Sequence, residues 1–390
     1  MLPTVKLLPG RDARAKTGHP WIFSNEVAMS HAVRSLPRGS AVRIEGDDGA
    51  RRGIWHFNPN SLMAARLLDR DPEATPDAAW FEARIGAALA LRQKLFATPH
   101  YRLVHAEADG LPGLIIDRYG DVLSLQANTA GMDRATPDIL AALQALLAPR
   151  AVMARNDSPV RKLEGLEEQT GLLLGDDAAA WVEEGRLRFE LDLLNGQKTG
   201  WFHDQRENRA RVAALCAGAR VLDAFCHTGG FGLAAAAAGA AHVTLLDRSE
   251  AALELASQTA AAHKLGQVSV HRGEAMATLE KWHGEGQRFD VVVADPPAFA
   301  KARRDNANAL RAYAQLARFC AGMVNPGGFL FIASCSHHVS AGEFIDATAH
   351  GIYRARREGR LIFSGGAGPD HPVHPMLPES AYLKGLLYAL

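Results

Sequence analysis

The C-terminal half of this chain is predicted to be an α/β fold, preceded by a small β-rich module and an α+β unit. From about Trp181 strand-like and helix-like segments alternate, the pattern of right-handed crossovers over a parallel sheet. Two strand-like runs, residues 289–294 and 329–333, are apolar without alternation, as in strands buried on both faces. The first seventy residues hold only short β-like runs separated by turn clusters. With 390 residues and 47% hydrophobic content, the chain can bury large cores and should form two or three domains.

The elements follow in order. Residues 41–45, 53–57 and 64–68 read as strands, broken at Glu45-Gly-Asp-Asp-Gly49 and Asn58-Pro-Asn60, and define a module over residues 1–70. The acidic stretch 69–77 reads as its exit linker. Helical periodicity over 78–96 places Trp80, Ile85, Leu89, Leu91 and Leu95 on one broad face. Strands at 102–106, 114–117 and 122–126, a helix at 137–147 and a strand at 151–155 complete a central unit over residues 71–180. The third unit, 181–390, has strands at 220–225, 242–247, 268–272, 289–294 and 329–333. Its helices include an alanine-rich one at 231–238 and another at 251–263.

Charge and cysteine content bound the function. Lys+Arg and Asp+Glu both number 43, so global charge does not argue for a polyanion ligand. Locally, however, residues 1–70 hold eleven Lys/Arg against six Asp/Glu, which favours a basic face there. Arg11, Arg14 and Lys16 are the candidates for gripping a nucleic acid. Four cysteines in irregular spacing give neither a disulfide framework nor a zinc pattern, and no stretch is apolar enough to span a bilayer. A soluble, cytoplasmic protein without membrane partners is expected.

The chemistry-bearing residues sit where strands end. The first strand of the third unit runs into Asp223-Ala-Phe-Cys-His-Thr-Gly229-Gly230-Phe-Gly232, whose glycines let backbone approach a ligand at a helix N-terminus. A carboxylate ahead of those glycines disfavours a pyrophosphate, whereas S-adenosylmethionine, with an amino group and a sulfonium, tolerates it. Asp247 ends the second strand, where a carboxylate can accept ribose hydroxyls, and Glu274 follows the third, where it could meet the adenine. Asp204, Gln205 and Arg206 either touch the methionine end of that cofactor or cap the helix that follows. Asp295-Pro-Pro297-Ala-Phe299 forms a stiff wall presenting a carboxylate, with Phe299 available to a planar base. Cys335, between Ser334 and Ser336, is the candidate nucleophile, because thiolate addition at cytosine C6 makes C5 enamine-like. His337 and His338 either meet RNA phosphate or cap the strand exit. Asp370-His371-x-x-His374, stiffened by three prolines, reads as a loop shaping the base pocket rather than a metal site.

Five segments together resemble the class I large-subunit rRNA cytosine-5 methyltransferases. They are Thr199-Gly-Trp-Phe-His-Asp-Gln-Arg-Glu-Asn-Arg209, the Asp223 turn, Asp295-Pro-Pro-Ala-Phe-Ala-Lys301, Ser334-Cys-Ser-His-His338 and Gly366-Ala-Gly-Pro-Asp-His-Pro-Val-His-Pro375. Gly18-His-Pro-Trp-Ile-Phe-Ser-Asn-Glu26 is similar to the PUA-like RNA-binding domain of that family, and residues 108–120 to its central domain. The resemblance implies a Rossmann-like methyltransferase domain using S-adenosyl-L-methionine, with 23S rRNA or a large-subunit precursor as partner and 5-methylcytosine as product. A homodimer is compatible with it. Carried onto this chain, the motifs put Phe202, Phe225, Cys226, Thr228, Gly229, Gly230, Arg248, Ser249, Ala275 and Pro296 at the cofactor beside Asp204, Gln205, Arg206, Asp223, Asp247, Glu274 and Asp295, and Lys301 at the RNA. The position after Pro297 is Ala298, so no second cysteine stands there and removal of the C5 proton falls to Asp295 or a water it holds. Two other functions are weighed against this one: methylation of an exocyclic base nitrogen, in which Cys335 is dispensable, and an RNA-binding assembly factor with a vestigial methyltransferase fold.

Overall fold

The structure is a computed structural model, and it describes residues 2–194, 200–300 and 302–390. Lys301 and Thr199 lie outside the described residues. The chain divides into two compact units, one comprising Met1–Val182, Leu191–Trp201 and Pro369–Ser380, the other Glu183–Glu190, Phe202–Gly368 and Ala381–Leu390.

The first unit holds two five-stranded sheets. The N-terminal sheet has the order Thr4–Lys6, Ser40–Glu45, Arg51–Phe57, Ala65–Asp69, Trp21–Ile22 around a core of Val5, Val42, Ile44, Trp55 and Phe57. Its two outer strands are only three and two residues long, too short to leave a period in the sequence. The second sheet has the order Gln169–Leu174, Ala151–Asn156, Val122–Ala127, Leu114–Tyr119, His100–His105. Helix Ala78–Leu95 starts where Asp77 accepts the Trp80 amide at 3.0 Å and stands against helix Thr136–Leu147. A buried polar bridge ties the two sheets together. Arg66 reaches Glu107 at 3.0 Å and Glu164 at 3.2 Å, and Trp21 Nε1 donates to Glu107 at 2.8 Å. Trp21 and Phe23 are partly covered, Phe23 beneath the Arg14 guanidinium at 4.8 Å.

The second unit is built on seven strands: β1 Arg220–Ala224, β2 His242–Asp247, β3 Val268–Arg272, β4 Phe289–Ala294, β5 Val324–Ser334, β6 Arg360–Gly365 and β7 Lys384–Ala389. The helices are α1 Arg206–Ala213, α2 Gly230–Ala237, α3 Glu250–Ala262, α4 Ala275–Gly284, α5 Asn306–Met323 and α6 Ala341–Arg354. The sheet order is β3-β2-β1-β4-β5-β7-β6. Strands β1 to β5 are parallel, as the alternation predicts. A wholly parallel sheet is corrected at β7, which runs antiparallel to both β5 and β6. The chain returns from β6 to β7 through residues 366–383 without a crossover helix, and an antiparallel neighbour needs none. The core beneath the sheet includes Leu222, Val292, Leu330, Ile332, Tyr313 and Phe344. From β1 the chain proceeds to β2 and β3 on one side and returns to β4 and β5 on the other, so the crevice beyond β1 and β4 is the topological switch point where such sheets bind ligands. Among the described residues, no helix is long and apolar enough to cross a membrane.

Candidate active site

Three carboxylates meet at the ends of adjacent strands. Asp223 is the penultimate residue of β1 and Asp247 the last of β2, while Asp295 follows β4, its amide donating to the Ala224 carbonyl. Asp223 is 1% exposed; its Oδ2 accepts the Gly232 amide at 2.7 Å, and its buried Oδ1 has no hydrogen-bond partner. Burial, reinforced by Asp295 and Asp247, raises its carboxyl to about 8 despite the Gly232 amide. Asp247 accepts the His227 amide at 2.9 Å and the Ser249 amide at 2.8 Å, which fixes its carboxylate at the crevice.

The turn between β1 and α2 is held in conformations that most residues avoid. Phe225 and His227 have φ of 62° and 50°, and Gly229 has φ of 81°. The α2 helix lies close on β2: a Cβ at Gly232 would stand 2.2 Å from Leu245 Cδ2. Thr228 and Gly229 are buried in the turn, Gly230 opens the helix, and the His227 ring packs edge-on against Phe202 at 5.4 Å. Cys226 is buried, and burial pushes its thiol well above the usual range, which suits packing.

The segment before α1 converges on the same place. Gln205 Nε2 donates to Asp295 Oδ2 at 2.9 Å, and Asn208 Nδ2 donates to Gln205 Oε1 at 2.7 Å. Asp204 accepts the Tyr382 hydroxyl at 2.5 Å. Gln205 stands at the N-cap of α1 without a side-chain cap bond. Arg206 faces His203 at 3.2 Å and Glu184 at 3.9 Å. On the far side, Glu274 caps α4 by accepting the Ala277 amide at 2.7 Å, Ala275 is buried behind it, and Arg248 is exposed. Pro296 is buried, and Phe299 packs on Tyr313 with ring centroids 4.7 Å apart.

Cys335 leaves β5 beside this crevice and is partly exposed, whereas Cys216, Cys226 and Cys320 are buried. The serines on either side hold its loop. Ser334 Oγ donates to the Tyr313 hydroxyl at 2.9 Å. Ser336 Oγ accepts the Ala300 amide and donates to the Ala300 carbonyl, both at 3.1 Å, so the thiol-bearing loop is tied to the loop that carries Asp295. Lys384 Nζ donates to the Ser336 carbonyl at 2.5 Å. Sequence reasoning did not reach Lys384, Tyr313 or Tyr382, which tertiary structure rather than a local motif brings here, and it gave no role to Asn208 and His227, which lie within the motif segments. His337 and His338 are exposed, the first against the Tyr382 ring at 5.4 Å.

Two expected regions lie in the first unit. The Asp370 carboxylate accepts the Arg102 amide at 3.0 Å, and its carbonyl accepts Arg92 at the same distance, which anchors the Pro-rich loop on the central sheet. At the N-terminus Arg11 is exposed and Arg14 pairs with Glu26 at 3.2 Å. Lys16 faces Asp12 at 2.8 Å, Asp47 at 3.6 Å and Asp48 at 3.8 Å, so its charge is locally balanced.

Residues 164–387 match the model of the S-adenosylmethionine-dependent methyltransferases, and residues 5–70 match that of PUA-like domains. The chain belongs to the S-adenosylmethionine-dependent methyltransferase family. It is 37% identical over 390 residues to a protein of Shewanella frigidimarina named Ribosomal RNA large subunit methyltransferase I, covering 98% of each chain, and 36% identical to the protein of the same name from Aeromonas hydrophila, covering 99% of each. The fold superposes on SMU.776, described as a methyltransferase and solved with SAH, with a TM-score of 0.83 at 19% identity and complete coverage of both chains. The residues present fit this family's methyl donor, S-adenosylmethionine: the buried, unpartnered Asp223 Oδ1 and the neighbouring carboxylates suit its cationic methionine end.

Proposed function

We propose that this methyltransferase modifies C5 of a cytosine in large-subunit (23S) rRNA, through a covalent bond between Cys335 and C6. Support for the substrate comes from the relatives named Ribosomal RNA large subunit methyltransferase I, aligned over nearly the whole chain, and from the PUA-like segment. The observation that carries the chemistry is the partly exposed Cys335, clamped through Ser336 to the loop bearing Asp295.

The target base must leave its stack before C5 and C6 can be reached. The Cys335 thiolate adds to C6, and the electrons of the C5–C6 double bond move into the ring, making C5 nucleophilic. When bound, S-adenosylmethionine supplies an electrophilic methyl group on sulfur, which C5 accepts. Asp295, steadied by the Gln205 amide and through it by Asn208, takes the C5 proton directly or through water. The C6–S bond then breaks, the C5–C6 double bond re-forms and Cys335 leaves as a thiolate. The net change is methyl for hydrogen at C5 with release of one proton. Phe202, Asp204, Phe225, Thr228, Gly229, Asp247, Ser249, Glu274, Ala275 and Pro296 surround the donor in this reading, with residues 1–70, 71–180 and 181–390 as RNA-binding, central and catalytic domains. Arg11 and Lys301 extend the RNA contact.

The test is to map 5-methylcytosine in 23S rRNA from cells lacking the protein, and from the same cells supplied with wild type or Cys335→Ala. One cytosine should lose its methyl group, regain it with wild type and stay unmodified with the variant. Full 5-methylcytosine formation by Cys335→Ala would overturn the Cys335 adduct, and a lost methyl group that proves to sit on a base nitrogen would favour nitrogen methylation.

A further inference from the structure

We propose that Lys384 is a positioning residue that holds Cys335 as a thiolate. The inference rests on Cys335 being the nucleophile and adds the group that makes it one. Lys384 opens β7, which pairs antiparallel with β5 so that Lys384 stands opposite Ser334, the residue before the thiol. The lysine is only 8% exposed, and its Nζ donates to the carbonyl of Ser336, the residue after the thiol. The buried ammonium is thus fixed on the carbonyl of the residue after Cys335, while the Lys384 backbone pairs with the residue before it.

A lysine drawn this far from water needs a reason, because burial alone depresses its proton affinity; the charge on Cys335 works the other way and favours the protonated amine. By the same coupling, the ammonium favours loss of the thiol proton to solvent, and thiolates beside lysine ionise well below the free-cysteine range. Tyr313, reaching in from α5, is another titratable group coupled to Cys335. Burial raises its hydroxyl, so it stays neutral and donates or accepts hydrogen bonds only. His337 and His338 follow on the same loop and are exposed. The ammonium is therefore a buried cation held on the loop that carries the thiol. It serves both ends of the proposed reaction, since the species that attacks C6 and the species expelled from it are the same thiolate.

The rival explanation is that Lys384 merely pins the Ser336 carbonyl. Lys384→Gln separates the two, because an amide still donates to that carbonyl but carries no charge, whereas Lys384→Arg keeps the charge. The readout is the pH dependence of iodoacetamide alkylation of the full chain, with Cys335→Ala as the blank; the other three cysteines are buried. In Lys384→Gln the alkylation midpoint should rise by about one pH unit or more. Methylation at neutral pH should fall about tenfold and recover as pH rises, with S-adenosylmethionine affinity unchanged. Lys384→Arg should keep a low midpoint. An unchanged midpoint in Lys384→Gln overturns the proposal whatever happens to activity. Normal methylation by Cys335→Ala would instead overturn the nucleophile assignment on which it rests, so the two failures are distinct.

Discussion

Replacing Gly232 by alanine tests whether close helix-on-sheet contact sets the cofactor turn. The added methyl would stand 2.2 Å from Leu245 Cδ2, 3.0 Å from Val243 Cγ1 and 3.2 Å from Asp223 Cβ. Leu245 and Val243 are wholly buried on β2, so neither side chain has solvent to swing into. Carbon atoms prefer separations of about 3.5–4.0 Å; the helix must therefore withdraw by an ångström or so, or Leu245 must leave its rotamer. Overpacking of this kind costs about 1–3 kcal/mol. Withdrawal of α2 also stretches the 2.7 Å bond from the Gly232 amide to Asp223 and carries Gly229 and Gly230 away from the crevice. Gly342 on α6 is the control, since nothing lies within 4 Å of its added methyl; alanine there should be neutral or stabilising by up to about 1 kcal/mol. Urea denaturation gives the stability change, and calorimetric titration with S-adenosylmethionine gives the affinity. Gly232→Ala should lose about 1–3 kcal/mol and bind the donor about tenfold more weakly, which corresponds to about 1.4 kcal/mol. Equal behaviour of the two variants in both assays would refute the argument.

Further predictions follow from charge placement. Asp223 is neutral below about pH 8 in the free protein, and the cationic donor prefers it ionised; donor affinity should therefore rise with pH up to about 8 and then level off, more steeply than in Asp223→Asn, and an identical slope in the two would refute the role. The same raised carboxyl binds its proton more tightly folded than unfolded, so its stabilising effect is full below 3.8 and lost as pH climbs to about 8. Denaturation midpoints should decline across that window relative to Asp223→Asn. Arg66→Met leaves the Glu107 and Glu164 carboxylates without their buried partner and should cost about 3–5 kcal/mol by denaturation; a loss below 1 kcal/mol would show that the bridge contributes little. Neutralising Arg11, Arg14 and Lys16 together should weaken rRNA binding and flatten its salt dependence without changing donor affinity. Lys16→Ala alone should do little, because Asp12, Asp47 and Asp48 already surround that charge. Unaltered binding by the triple variant would move the RNA contact elsewhere.

Legibility in the sequence followed burial. Strands β2 and β4 span the residues that their largely apolar runs delimit, and the glycine turn after β1 announces a close backbone approach by its residue types alone. The last two strands were not legible. β6 is an edge strand whose Leu361 and Ile362 stay exposed, and β7 follows a proline-rich loop rather than a helix. With β7 unseen, so was Lys384, whose position beside Ser334 depends wholly on pairing register. Likewise, a count of basic residues near the N-terminus cannot reveal that the turn carrying Asp47 and Asp48 folds back onto Lys16. The Asp370 loop reads as pocket-forming from its prolines, yet its carboxylate hydrogen-bonds the Arg102 amide, a partner 268 residues away.

Covalent capture tests the central claim most directly. Ribosomal RNA carrying 5-fluorocytosine, incubated with this protein and S-adenosylmethionine, should yield a complex that survives denaturation, because fluorine at C5 cannot leave as a proton does and the C6–S bond persists. Peptide mass mapping should locate the nucleotide on Cys335, and Cys335→Ala should give no complex. Methyl transfer to the fluorinated RNA without any adduct, or an adduct at another residue, would contradict the account.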